Sequence, residues 1–315
     1  MLDLDRLRAL HAVATHGSVS AAAEALHVTT SAVSQQLAKL ERETAHKLLE
    51  RNGRGVKLTD VAWLLVAHAE RILALVERAE ADLEAHRGVV AGEMTVAAFP
   101  SAIRGLIPAA LAALRTAHPR LRVRVHECDP AESLPLTSRG DIDLAIVQDW
   151  NNEPLPVPEG LAKGMICEDV ADVALPADHP LADRDVVALT ELAGDRWISS
   201  TPGSICCDWL VHTLRSFDNE PRIDHMADEF ATQLALVAGG LGNAILPRLG
   251  RCDIPEGVRL VALRPALIRR VFAVWREEAA RRPAICAALD ALRAAGRRDV
   301  PADPRRPGGP ATGPH

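Results

Sequence analysis

Residues 17–60 read GSVSAAAEALHVTTSAVSQQLAKLERETAHKLLERNGRGVKLTD, and the order of residue types here decides what the N-terminal part of the chain is. Ser18 or Ser20 can cap a short helix whose interior, Ala21, Ala22, Ala23 and Ala25, is made of strong helix formers with little bulk. Thr29 and Thr30 are candidate caps of a second helix, in which Val33, Leu37 and Leu40 recur at helical spacing and form one apolar face. Ser31, Ser34, Gln35 and Lys39 fall on the opposite face. Such short polar or basic side chains suit base edges and phosphates, which makes Ser18, Thr29, Thr30, Ser31, Ser34, Gln35 and Lys39 candidate DNA contacts. The same pattern also fits an ordinary helix pair with a solvated outer face.

The next residues shift the balance. Arg51 to Leu58 places two glycines, Gly53 and Gly55, between short β-prone flanks, with Arg51, Arg54 and Lys57 around the tip of the expected hairpin. From Thr29 to Leu58 six basic residues stand against three acidic ones, whereas the whole chain carries a net charge of −6 at pH 7. A basic hairpin beside a polar helix face is an electrostatic footprint for phosphates. Aromatic residues are absent from it, which favours duplex over single-stranded nucleic acid.

The stretch from Leu4 to Asp60 resembles the winged helix-turn-helix of LysR-type transcriptional regulators. The resemblance is carried by Leu7-Arg8, Gly17-Ser18, Ala21-Ala22-Ala23, Leu26-His27-Val28, Ser31 to Gln36, Leu40-Glu41, Leu48 to Arg51 and Arg54 to Thr59. Three positions depart from the family pattern: Ala45 replaces a usual glycine, Leu49 a usual aromatic residue and Ala62 a wing-end glycine.

Asp60 to Arg87 contains neither Pro nor Gly. Val61, Leu65, His68, Ile72, Val76, Ala79 and Leu83 fall near a heptad seam, which predicts one helix of roughly 40 Å. The resemblance implies that it is a linker helix pairing with another subunit; packing on its own C-terminal domain is the alternative. From Met94 the pattern alternates strand and helix. Strands are expected at 94–99, 121–128 and 142–147, and helices at 103–117, despite Pro108, and at 131–139. After a Pro-rich break at 151–160 come strands within 162–175, at 197–199, 222–226, 243–246, 258–263 and 269–275, and helices at 204–217, 230–237 and 283–295. The expected class is α/β: a winged helix-turn-helix (1–60), a linker helix (61–88), a two-lobed domain similar to periplasmic binding proteins (93–299) and a disordered tail (300–315). Gly140 to Ile146, Asp178-His179-Pro180-Leu181 and Val237 to Pro247 carry the second resemblance, to the LysR effector domain.

Ligands of open α/β sheets bind beyond the carboxyl ends of the strands. That rule selects Pro100, Ser101 and Ala102, then Asp129, Gln148, Ser199, Ser200, Thr201, Ala227 and Asp228 as effector-binding candidates. Ser101 with the amides of the following helix start suits an anionic group, although Ser101, Ser199 and Thr201 would also serve as plain caps and turn formers. The resemblance implies a small-molecule co-inducer at these positions, a homodimer or homotetramer, duplex DNA as partner, and RNA polymerase as a further candidate partner. Cys206-Cys207 lie where peroxide-sensing relatives keep a reactive cysteine, but Asp208 opposes thiolate formation and no resolving cysteine lies about nine residues on.

Composition is that of a globular protein, 48% hydrophobic and 25% charged. No run approaches the ~20 apolar residues of a membrane span, and Asp3, Asp5 and Arg6 stand where a signal peptide would be apolar, so a cytoplasmic protein is expected. The six cysteines have no metal-ligand spacing, and no enzyme motif appears; no metal, cofactor or catalytic residue is expected. Gly239-Gly240-Leu241-Gly242 is an incomplete nucleotide-loop motif after a helix and reads as a turn. An enzyme, a ligand-binding protein without DNA function and a nucleoid-type binder are the rival classes.

Overall fold

The computed structural model describes residues 2–52 and 55–299. The expected turn at Gly53-Arg54 and the tail 300–315 lie outside the described residues. Helix α1 (Leu4–His16) is capped by Asp3 and closed by Gly17 at φ 73°. Of the two serines that could cap the next helix, Ser18 does so, accepting from the Ala21 amide at 3.1 Å to start α2 (Val19–Ala25). Thr29 caps α3 (Thr30–Thr44) through the Ala32 amide at 3.1 Å, leaving Thr30 as its first helical residue. The wing follows as β1 (Leu49–Asn52) and β2 (Gly55–Leu58), antiparallel from Leu49 opposite Leu58 to Asn52 opposite Gly55.

Helix α4 (Asp60–Arg87) is one unbroken element of 28 residues with Thr59 as its cap. Its expected seam does not face one way. Ala62, Val66 and Ala69 are fully buried and join Leu7, Leu10, Val13, Val33, Leu37 and Leu40 in the N-terminal core, with Leu65 and Ile72 packed at its edge. Of the expected seam, Val61, His68, Ala79 and Leu83 are exposed instead, as are Leu64 and Leu75 outside it. The first turns of the helix must close the core under α1 and α3. A straight helix with 3.6 residues per turn then drifts off any strict 3.5 repeat, so the seam is divided between two faces.

The C-terminal domain is one sheet shared by two lobes. In the first lobe, β3 (Gly92–Ala98), β4 (Leu121–Glu127) and β5 (Leu144–Trp150) are parallel, in the order β4-β3-β5. The sheet continues through β12 (Leu267–Arg276) to β6 (Leu161–Pro176), a single strand of 16 residues that runs from one lobe into the other. In the second lobe β10 (Ala244–Pro247) and β11 (Val258–Leu263) pair with the far end of β6, and β7 (Val186–Val187) pairs with β11. A separate parallel pair, β8 (Arg196–Ser199) with β9 (Arg222–Met226), completes that lobe. Helices α7 (Pro130–Arg139), α8 (Ile205–Arg215), α9 (Phe230–Ala238) and α10 (Pro283–Asp299) flank the strands.

The expected helix 103–117 is two helices. Helix α5 (Pro100–Gly105) ends at Leu106, and α6 (Ile107–Ala117) begins there with Pro108 in its first turn, where a missing N–H costs nothing. The break is fixed from outside by Leu249 and Gly250, which lie so close to Ser101 and Gly105 that a Cβ on either glycine would collide with them. No helix among the described residues is long and apolar enough to cross a membrane.

Candidate functional site

Two separate surfaces collect the residues singled out in the sequence. On the first, α3 turns Val33, Leu37 and Leu40 inward and leaves Thr30, Ser31, Ser34, Gln35, Ala38, Lys39 and Arg42 exposed in rows along its outer side. Thr29 is exposed as well, while Ser18 is half-buried and its hydroxyl is engaged in capping. Lys57 is exposed on β2, facing Glu50 across the hairpin. Arg54 and the side chain of Arg51 lie outside the described residues.

Glu41 ties this surface together. Its Oε1 accepts the amides of Leu48 at 2.9 Å and Leu49 at 3.3 Å, and its Oε2 accepts Lys47 Nζ at 3.0 Å. Burial alone would push the carboxyl up, but those amides and Lys47 hold it below the usual carboxylate range. One side chain on α3 therefore sets where the wing starts.

The second surface is a crevice of about 680 Å³ between the two lobes. Seven of the expected positions line it: Pro100, Ser101, Asp129, Gln148, Ser200, Thr201 and Asp228. Three do not. Ala102 is fully buried in the first-lobe core, Ser199 lies in a smaller pocket with Trp150 and Cys206, and Ala227 uses its carbonyl to accept Gln233 Nε2 at 2.7 Å. Asp228 Oδ1 takes both the amide (2.8 Å) and the hydroxyl (2.7 Å) of Thr201, which pins the β8–α8 loop to the end of β9. Ser101 is 1% exposed and its hydroxyl has no hydrogen-bond partner. Helix α5 has six residues and starts with Pro100, which has no N–H to offer an anion.

The residue that sequence reading missed is Arg269. It is fully buried on the crevice lining, where its Nε and Nη2 donate to Asp169 Oδ2 at 3.0 and 2.5 Å and its Nη1 donates to Gln148 Oε1 at 2.6 Å. The β-register explains the pairing: Arg269 on β12 stands opposite Asp169 on β6, and Arg270 stands opposite Asp149 on β5. Opposite charges facing across a ladder neutralise each other directly. The guanidinium also lies 5.2 Å from the centre of the Phe99 ring, so the floor of the crevice is a fixed polar network under an aromatic side chain.

The thiols beside it are not activated. Burial pushes both thiols up. At Cys206 Arg269 works against this and Asp129 with it; at Cys207 a hydrogen bond from Ser199 works against it and Asp208 and Asp228 with it, and both end raised. A protonated thiol is a poor nucleophile toward peroxide.

Residues 4–62 match the family model described as bacterial regulatory helix-turn-helix protein, lysR family, and residues 87–297 match the LysR substrate binding domain. The chain belongs to the LysR family. It is a LysR-type DNA-binding transcriptional regulator with an effector-binding domain. The probable HTH-type transcriptional regulator LrrA of Synechococcus elongatus is 30% identical over 293 residues, covering 93% of this chain and 97% of that protein. The HTH-type transcriptional regulator CysL of Bacillus subtilis is 27% identical over 244 residues, 78% of this chain and 80% of its own length.

Among solved structures this LysR regulator is similar in fold to full-length OxyR from Pseudomonas aeruginosa, with a TM-score of 0.69 at 22% identity over 93% of this chain and 95% of that one. It is also similar to full-length CbnR in complex with its target DNA, with a TM-score of 0.53 at 23% identity over 93% and 100%.

Proposed function

We propose that this LysR regulator reads duplex operator DNA with the exposed face of α3, grips the adjacent backbone with its wing, and answers a small molecule held in the crevice between the lobes of its C-terminal domain. It would act in the cytoplasm as a homo-oligomer, two reading heads matching two half-sites. The observation that carries the DNA part is the division of α3 between a buried apolar row and an exposed row of Ser31, Ser34, Gln35 and Lys39, with Lys57 of the wing exposed as well. Ser101, Gln148, Thr201, Asp228 and Asp129 support the crevice as sensor, because polar groups from both lobes converge there above the Arg269 network.

Binding to a duplex selected from a random-sequence library tests the reading. Gln35→Ala is expected to lose about 1–3 kcal/mol on the selected duplex and little on unselected DNA. Lys57→Ala is expected to weaken both alike and to lower the slope of affinity against salt by about one unit. Equal losses from Gln35→Ala on both duplexes would remove α3 from base reading.

A further inference from the structure

Charge in the crevice does not balance. Asp129 at the start of α7, Glu153 after β5, Asp208 on α8 and Asp228 after β9 all line it, and none of the four is in an ion pair among the described residues. Arg269 is the lining's cation among the described residues, and Asp169 already neutralises it. The walls around these carboxylates are apolar, with Phe99 and Phe230 from opposite lobes. Asp129 registers the strain: its carboxyl is pushed above the usual range by lost solvent, then by Asp228, Glu127 and Glu132. Three of the four carboxylates are exposed in this open crevice, so solvent screens part of their mutual repulsion, and a ligand of opposite sign that displaces that solvent relieves the rest.

A second observation points the same way. The Ser101 hydroxyl, buried and without a partner on the same lining, has lone pairs free to accept an N–H. An anionic ligand would meet four carboxylates and an arginine already occupied. The volume is that of an ordinary small-molecule site.

We infer that the effector of this regulator is a small organic cation, an amine or guanidine on an apolar body, with its charge between Asp129 and Asp228 and its body between Phe99 and Phe230. This rests on the crevice being the sensor, and the experiment separates the two. Calorimetric titration of the full-length protein at constant ionic strength compares three pairs of probes: phenethylamine with hydrocinnamate, tryptamine with indolepropionate, and agmatine with adipate. At least one cation is expected to bind saturably and every carboxylate to fail. The isosteric changes Asp129→Asn and Asp228→Asn are each expected to weaken the tightest cation about tenfold. Carboxylates that bind and are lost on Ser101→Ala would overturn the cation while leaving the crevice as sensor. Silence from all three cations, or cation binding indifferent to both Asp→Asn changes, also overturns it. A probe of either sign that ignores Ser101→Ala and both Asp→Asn changes takes the crevice down with it.

Discussion

Ala45 ends α3 at φ 54°, in the left-handed region where a Cβ is crowded, at the position where the family pattern has glycine. Replacing it with glycine removes that crowding at a helix end where glycine is the favoured residue. Ala45→Gly is expected to raise stability by about 1 kcal/mol in urea unfolding; a loss of stability would show that the turn needs the methyl group. Glu41 is the other residue on which the α3–wing junction depends. Its folded pKa lies below its unfolded value, so its stabilisation is present in full above about pH 4.3 and is lost as pH falls through the folded pKa. Glu41→Gln, which keeps an acceptor for both amides but loses the charge, should destabilise the protein by about 1 kcal/mol at neutral pH, the difference between hydrogen bonds to a charged and a neutral group. That gap should narrow under acid, and a gap that stays constant into acid unfolding would mean the charge is irrelevant.

At the scale of elements, α4 shows what local pattern can and cannot decide. Its length and continuity were legible because Asp60 to Arg87 lacks any breaker. Which side meets the rest of the chain was not, because Ala62, Val66 and Ala69 look unremarkable beside the larger Leu65 and Ile72, yet they are the ones buried. Small residues go inward where helices approach closely, and only the packed N-terminal core reveals that. Leu64 at 63% and Leu75 at 66% exposure are left on the outer side. Leu64→Asp with Leu75→Asp is expected to give a folded monomer in analytical ultracentrifugation, with weakened binding to paired half-sites. An intact oligomer would place the subunit contact elsewhere. The same double change at Leu65 and Ile72 would instead damage the N-terminal core.

Across the whole molecule, the strand-end rule pointed to the crevice from sequence: Ser101, Asp129, Thr201 and Asp228 follow strands, Gln148 lies near the end of β5, and all five line it. Its floor was hidden. Arg269 reads as an ordinary charged residue in a strand, and its partner Asp169 lies 100 residues away on a strand whose register no local pattern encodes. The same long range governs the junction with α4. Arg276, at the far end of β12, donates to Glu77 from Nε at 2.9 Å and from Nη2 at 2.7 Å, and its Nη1 reaches the Thr137 and Ile142 carbonyls at 2.9 and 3.1 Å. Arg281 and Arg282 add pairs to Asp82 and Glu84.

Strand β12 thus has the crevice floor near one end and the α4 junction at the other. Seven residues of extended chain separate Arg269 from Arg276, a rod of about 23 Å at ~3.3 Å per residue. The strand is laddered to β5 and β6 on both sides, so a displacement at Arg269 travels to Arg276 with the sheet rather than along a free strand. Helix α4 is a second arm of about 42 Å, and the reading head is mounted on its opposite end. An effector seated over Arg269 would thus act on the reading head through a sheet and a helix in series, force traded for reach.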